Sequence, residues 1–156
     1  MKCFVQNYRF LPLLFAVAIT LGMAETAYGQ SATLFFSPAS AFLTQGGSVR
    51  VDVMVDTAGD DINAVAAYFT YPESVLQATN VDIAGSVMTL FAEQEAANGI
   101  VRISGGRPTP GFSGVHKLAT VTFVGTGSSG TATLLFNQDS AVLRDSDNQN
   151  SLNLGL

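Results

Sequence analysis

Hydrophobic and polar residues alternate along several short stretches of this chain, most clearly in residues 64–71. A two-residue period is that of a β-strand with two distinct faces. Pro72 removes a backbone donor and fixes φ, so the strand is predicted to end there, and residues 73–76 to form one turn that places Val75 and Leu76 on the core. One predicted face holds Val65, Ala67, Phe69 and Tyr71, and the other holds Ala64, Ala66, Tyr68 and Thr70.

The same alternation predicts further strands on both sides of this stretch. Residues 48–56 alternate almost throughout, with four valines on the inward face. Strands are also predicted at residues 33–36, 77–83, 100–104, 118–124 and 131–136, whereas residues 87–91 fit either a strand or a loop. Final edge strands are predicted from Val142 and Leu143 and from the alternating Leu152, Leu154 and Leu156.

Glycine and proline separate these predicted strands. Gly105 and Gly106 permit a bulge or a sharp turn, residues 107–114 are predicted to form a loop, and residues 125–130 a hairpin connection. Eight or nine strands with no helix longer than one turn predict an all-β chain folded as a jelly-roll β-sandwich.

The first 29 residues have the pattern of a signal peptide. Lys2 and Arg9 precede the apolar residues 10–21, and Ala27 and Gly29 are small residues at the positions that a signal peptidase recognises. The apolar run is shorter than the roughly 20 residues needed to span a bilayer. We therefore expect residues 1–29 to be removed, residues 30–156 to form one domain without a membrane span, and the product to be extracellular or on the cell surface, with a periplasmic location left open.

Charge and cysteine content narrow the possible functions. The formal net charge of −5 would repel phosphate backbones, which argues against a nucleic-acid partner. Cys3 is the only cysteine and lies in the predicted signal peptide, so the domain has no thiol for catalysis or for zinc binding. Residues 125–130 have the glycine spacing of a dinucleotide-binding loop, but they precede a predicted strand where that site requires a helix.

Catalysis is not predicted. His116 is the only histidine in the chain, and its position before a strand is that of an ordinary surface side chain. Glu93 and Glu95 would point the same way on an extended segment, as the carboxylate pair of a glycoside hydrolase requires, but nothing in the sequence places them across a cleft. The predicted domain also lacks tryptophan and has only two tyrosines, Tyr68 and Tyr71, whereas sugar-cleaving sandwiches usually need aromatic subsites on which sugar rings stack.

A weak calcium site is the one cofactor possibility. Asp145, Asp147 and Gln149 offer oxygen ligands at alternate positions. The segment lacks the glycine at position six and the glutamate at position twelve of an EF-hand or dockerin-type loop. A solvated turn is the leading interpretation of these residues, and a structural calcium site is the alternative.

Several motifs, in their order along the chain, are similar to those of one family. Tyr71, the turn at Pro72 and the pair Val75 and Leu76 resemble the tyrosine and proline turn of cohesin modules, although the usual aspartate before the proline is lacking. Residues 36–38, 46–47, 103–106 and 118–123 are further matches, and together the motifs cover nearly all of the predicted domain. The resemblance implies a β-sandwich, in agreement with the strand pattern.

The resemblance also implies a function and a site. Cohesins bind a protein partner, a dockerin, on one sheet face, and here that face would be formed by the strands around residues 64–70 and 101–104. A carbohydrate-binding module is the alternative, which would need a line of exposed rings where this domain offers only Tyr68 with Phe112 or Phe91. A self-pairing structural module is a third possibility. The residues implied in partner binding are Ala64, Ala66, Tyr68, Thr70, Arg102 and Ser104.

Overall fold

The computed structural model describes residues 31–127 and 131–155, and these residues form nine β-strands and no helix. The predicted signal peptide lies outside the described residues. Within the described part, no helix is long and apolar enough to cross a membrane. The strands are β1 (Thr33–Ser37), β2 (Ser48–Asp56), β3 (Ile62–Thr70), β4 (Leu76–Asp82), β5 (Leu90–Ala97), β6 (Ile100–Gly106), β7 (Val115–Gly125), β8 (Leu135–Phe136) and β9 (Ala141–Arg144).

The strands form two antiparallel sheets. One sheet has the order β1-β2-β7-β4, and the other has the order β5-β6-β3-β8, with β9 also pairing with β3. The inward faces of both sheets supply the core, in which Phe69, Phe123 and Ile103 are among the largest fully buried side chains. The predicted all-β sandwich is therefore confirmed, as is the number of strands in the described part of the chain.

The alternation of apolar and polar residues predicted at residues 64–71, which include most of β3, matches the burial of their side chains. Val65, Ala67, Phe69 and Tyr71 are all buried, as predicted for one face. The turn predicted after Pro72 is also present, because the carbonyl oxygen of Pro72 accepts the N–H groups of residues 75 and 76 at 3.1 and 3.0 Å. Hydrophobic periodicity is reliable here because one face of a half-buried strand must be apolar throughout.

The predicted hairpin between residues 118–124 and 131–136 is wrong. Strand β7 pairs with β2 and β4, whereas β8 pairs with β3 in the other sheet. Only Leu135 and Phe136 of the second segment form a strand. The Phe136 ring stacks on Phe36 at 4.4 Å and contacts Phe69 edge-on at 5.7 Å. This aromatic packing holds β8 in the second sheet, so the chain crosses from one sheet to the other where local turn residues predict a hairpin.

Gly105 and Gly106, which permit a bulge or a sharp turn, do not form a turn, since β6 continues through both glycines. A bulge lies opposite Gly105, and its extra residue is in the neighbouring β5, between Phe91 and Glu93. A Cβ atom on Gly105 would overlap the carbonyl oxygen of Leu90. The two glycines are therefore sites of close approach between backbones.

The predicted edge strand at the carboxyl end is reduced to one bridge. Leu152 pairs in parallel with Ala32, and Leu154 is in no strand. Leu156 lies outside the described residues.

Candidate functional site

The six residues predicted for partner binding lie on the outward face of the sheet that contains β3 and β6. In the register of these strands Ala66 is opposite Ser104, and Tyr68 is opposite Arg102. Because cross-strand partners share a face, all six side chains lie on one surface. Thr70 is exposed, and four others are half-buried. Ser104 differs from the prediction, since it is only 9% exposed.

The backbone of Tyr68 is fixed although its neighbouring strand is interrupted. Strands β8 and β9 both pair with β3, on either side of a turn at residues 137–140. The buried hydroxyl of Ser140 occupies the interruption, where it accepts the Tyr68 N–H at 3.1 Å and donates to the Tyr68 carbonyl oxygen at 2.9 Å. The ring of Tyr68 is therefore held on a rigid strand.

Two carboxylates on β5 complete the face, and sequence reasoning did not assign them to it. Glu93 is opposite Ser104, and Glu95 is opposite Arg102. Without the register shift at residue 92, Glu93 would be opposite Ile103, which points into the core. The even spacing of Glu93 and Glu95 showed that they share a face, but only the shift decides which face.

Glu93 is the centre of a hydrogen-bond network. Its Oε2 atom accepts the Ser104 hydroxyl at 2.8 Å and also accepts the hydroxyl of Tyr68. The Tyr68 side chain thus reaches across β6 to β5. This network explains why Ser104, although on the outward face, has little contact with solvent.

Arg102 and Glu95 form a separate and more exposed pair. The Arg102 guanidinium donates to Oε1 of Glu95 at 3.3 Å, and the two side chains are 40% and 59% exposed. Exposed ion pairs of this kind contribute about 0–1 kcal/mol. Arg102 is therefore free to exchange Glu95 for a partner at little cost.

The β3 and β9 half of the face is flat and apolar. Leu143 on β9 is opposite Ala64, and Ala141 is opposite Ala66. The sequence predicted a strand at residues 142–143 without its pairing partner. The face therefore has an apolar half on β3 and β9 and a polar half on β5 and β6.

The network shifts the ionisation of both its titratable groups. The hydrogen bond from Tyr68, followed by that from Ser104, holds the pKa of Glu93 below its ordinary value of 4.5. The same hydrogen bond to Glu93, with partial burial, raises the pKa of Tyr68 above 10.0. At neutral pH the face thus has a carboxylate at residue 93 and a protonated phenol at residue 68.

The lowered pKa of Glu93 predicts how the network depends on pH. Because the folded-state pKa of Glu93 lies below its ordinary value of 4.5, the stabilisation should be fully present above that pH. It should be lost as the pH falls through the folded pKa. An NMR titration of the Glu93 carboxyl carbon should give a midpoint below 4.5, and Ser104→Ala and Tyr68→Phe should each raise that midpoint. A midpoint of 4.5 or higher in the unsubstituted protein would contradict the network.

The carboxylates of the calcium candidates have other hydrogen-bond partners. The carboxylate of Asp145 accepts the Thr109 hydroxyl at 2.8 Å, whereas both oxygens of Asp147 bind the Arg144 guanidinium at 3.1 and 2.8 Å. The backbone N–H of Gln149 donates to Asp147, and this bond, followed by that from Arg144, lowers the Asp147 pKa. No three acidic, histidine or cysteine side chains in the described ranges are placed to hold a metal ion. This geometry favours the solvated turn over the calcium site.

Other candidate groups have structural partners. A ring nitrogen of His116 is hydrogen-bonded to the carbonyl oxygen of Ser113 at 2.8 Å, and its ring packs edge-on against Phe112. Phe112 is only 6% exposed, and Phe91 packs against the core. Tyr68 is thus the single aromatic side chain of the face within the described residues. A line of rings for stacking on a polysaccharide is not formed there.

Known proteins resemble this chain in structure. No protein-family model and no curated protein sequence matches it. A non-cellulosomal cohesin from the hyperthermophilic archaeon Archaeoglobus fulgidus aligns over 79% of this chain and 85% of its own, with 20% identity and a TM-score of 0.61. The sixth cohesin of Acetivibrio cellulolyticus scaffoldin B, solved in complex with a dockerin, covers 79% of this chain and 92% of its own, with 16% identity and a TM-score of 0.63.

A third structure agrees with these two. The third cohesin of ScaC from Acetivibrio cellulolyticus, in complex with the ScaB dockerin, covers 78% of this chain and 92% of its own, with 14% identity and a TM-score of 0.65. These similarities span most of the sandwich and confirm the fold that the sequence motifs implied. The described part of this chain has the fold of the cohesin modules.

Proposed function

We propose that this chain is a non-catalytic binding module that holds a dockerin-type or related protein partner on the outward face of the β5-β6-β3 sheet. The main support is the cohesin fold, together with the dockerin complexes of two structurally similar cohesins. By the resemblance of the sequence motifs, the face that cohesins use for this purpose would be formed here by β3 and β6, which hold Tyr68 and Arg102 opposite each other.

The shape of the face suits a helical partner. Four strand positions separated by about 4.8 Å give a sheet surface roughly 14 Å wide between its edge strands. A helix with its side chains is about 10 Å across, so it fits on this width. Alanines at positions 64 and 66 allow close approach, and Tyr68 and Arg102 are of the residue types that dominate binding energy at interfaces.

The proposed module acts outside the cytoplasm. The positive start, apolar run and small residues of residues 1–29 support removal of a signal peptide, and a dockerin partner would then be met in the extracellular space or at the cell surface. Assemblies that degrade polysaccharides are one setting for such a module.

A capture experiment tests the proposal. The mature domain, residues 30–156, is used as bait for the exported proteins of the source organism, with calcium present so that dockerins are folded. We expect a dockerin-containing protein to bind, and the double variant Tyr68→Ala, Arg102→Ala to weaken its binding by about 30- to 100-fold, because a hot-spot residue contributes about 2 kcal/mol or more and the contributions of two neighbouring anchors partly overlap. Isothermal titration of the captured protein gives the affinity.

The opposite sheet provides a matched control. Arg50 is opposite Thr122, as Arg102 is opposite Tyr68, and Arg50 pairs with Asp82 at 3.4 Å. The double variant Arg50→Ala, Thr122→Ala should bind like the unsubstituted domain. Equal loss in both double variants would place the interface elsewhere. Binding of insoluble polysaccharide without any protein partner would replace this proposal with the carbohydrate-binding alternative.

A further inference from the structure

We infer that Glu93 is the charged anchor of this face and that it receives a hydrogen bond from a lysine or arginine side chain of the partner. This inference rests on the proposed function and specifies the chemistry of the partner. Glu93 lies on the edge strand β5 in the polar half of the face, one strand beyond Ser104 and two strands beyond Tyr68.

Glu93 forms no salt bridge among the described residues, and the positive charge of Arg102 acts on it without a direct hydrogen bond. Its two hydrogen-bond donors, Tyr68 and Ser104, are neutral hydroxyls that both bind Oε2. Among the described residues, no donor binds Oε1. By contrast, the three salt bridges of the described part pair arginines with other carboxylates, namely Asp82, Glu95 and Asp147. Glu93 is thus held in place while one of its oxygens stays available for a cation.

The carboxylate is also organised before binding. Ser104 is buried, and the backbone of Tyr68 is fixed by its hydrogen bonds to Ser140, so both donors extend from strands with defined positions. A side chain that is already ordered loses little conformational entropy when a partner binds it. Hydrogen bonds to a charged group are also stronger than those between neutral groups. The geometry therefore favours Glu93 over the more exposed Glu95 as the point of attachment.

The residues beside Glu93 determine from which direction a basic side chain of the partner can reach it. The alanines of the apolar half let a helix lie over β3 and β9, and a long basic side chain from that helix then extends across β6 toward β5. The two strand spacings from β3 to β5 amount to about 10 Å, a distance that a long lysine or arginine side chain covers together with the hydrogen bond and the Glu93 side chain. The apolar half thus positions the helix, and Glu93 selects for a basic residue on it.

A selection from a defined library tests this inference. The probe is the ScaB dockerin of Acetivibrio cellulolyticus, displayed on phage with its exposed helix positions randomised and selected with calcium present. Parallel selections use the unsubstituted domain, Glu93→Gln and Glu95→Gln. We expect lysine and arginine to be enriched on the unsubstituted domain and on Glu95→Gln, and not on Glu93→Gln. Binders from the first selection should bind Glu93→Gln about 10- to 100-fold more weakly and Glu95→Gln within about threefold.

Salt dependence separates charge recognition from a purely structural role of Glu93. The affinity of the unsubstituted domain should fall between 50 and 500 mM salt, and Glu93→Gln should lose most of this dependence. Tyr68→Phe, which keeps the ring and the carboxylate, should retain it. If Tyr68→Phe and Glu93→Gln weaken binding equally with unchanged salt dependence, Glu93 only positions Tyr68 and the inference is overturned.

The remaining outcomes are also decisive. Equal basic content in all three selections would overturn the role of Glu93 and leave the proposed function intact, provided that the double variant Tyr68→Ala, Arg102→Ala still weakens binding. If no dockerin variant binds the unsubstituted domain, the proposed function fails and the inference fails with it.

Discussion

Replacing Phe69 with alanine should lower the free energy of unfolding by about 3–5 kcal/mol, as is typical for a buried phenylalanine. Phe69 is completely buried on β3, and its ring packs edge-on against Phe36 at 4.9 Å and Phe136 at 5.7 Å. These two contacts join β3 to β1 of the other sheet and to β8. Removal of the ring therefore leaves a cavity between the sheets and weakens the contact that places β8 in the second sheet.

Chemical denaturation monitored by far-ultraviolet circular dichroism measures this effect. Phe42 is the control, because its side chain is fully exposed on the loop after β1. Phe42→Ala should change the free energy of unfolding by no more than about 0.5 kcal/mol. A loss below about 1.5 kcal/mol for Phe69→Ala would show that the three-ring cluster collapses around the deletion, in conflict with a close-packed core.

Gly105→Ala should cost about 3 kcal/mol, at the upper end for overpacking, because the added methyl group would meet backbone. The Cβ atom would overlap the carbonyl oxygen of Leu90, and a rigid backbone oxygen has no rotamer by which to move aside. Strand β5 must then shift away from β6. Since Glu93 reaches Ser104 and Tyr68 from β5, the same substitution should break the hydrogen-bond network on the outward face.

The comparison variant for Gly105 is Gly59→Ala. Gly59 has a φ of 94°, and a Cβ atom there would meet nothing within 4 Å. Its substitution therefore tests backbone strain alone, which should cost about 1 kcal/mol. Denaturation gives both values, and the NMR signals of the Tyr68 ring and the Glu93 carboxyl group show whether the network persists. An equal cost for the two variants, with the network intact in Gly105→Ala, would refute the close approach of β5 and β6.

Local patterns predicted the strands well and their partners poorly. The alternation at residues 48–56 and 64–71 identified β2 and β3 with their buried faces, because that pattern depends only on which face of one strand contacts the core. The glycine-rich segment after β7 suggested a hairpin by local turn chemistry. Packing of Phe136 against Phe36 and Phe69 joins residues far apart in sequence, and it outweighs that local preference.

The residues of the candidate site also fall into those that the sequence could place and those that it could not. Its six predicted residues lie on one face because β3 and β6 pair in regular register, so two-residue periodicity was sufficient to group them. Glu93 could not be placed from the sequence, since the one-residue shift in β5 reverses the face to which every later residue points. Ser104 was placed on the correct face, but its burial depends on two side chains from other strands.

The sequence by itself determined that this chain is an all-β sandwich, which strands are half-buried and which residues face outward on β3 and β6. Those properties follow from the order of apolar and polar residues within single strands. The tertiary structure alone decided that β8 joins the second sheet, that β5 contains the bulge, and that Glu93 accepts hydrogen bonds from Tyr68 and Ser104 without a salt bridge to any described residue. These features depend on strand pairing and side-chain packing between segments that are far apart in the sequence. The order of residues within one segment does not reveal the energy of such contacts.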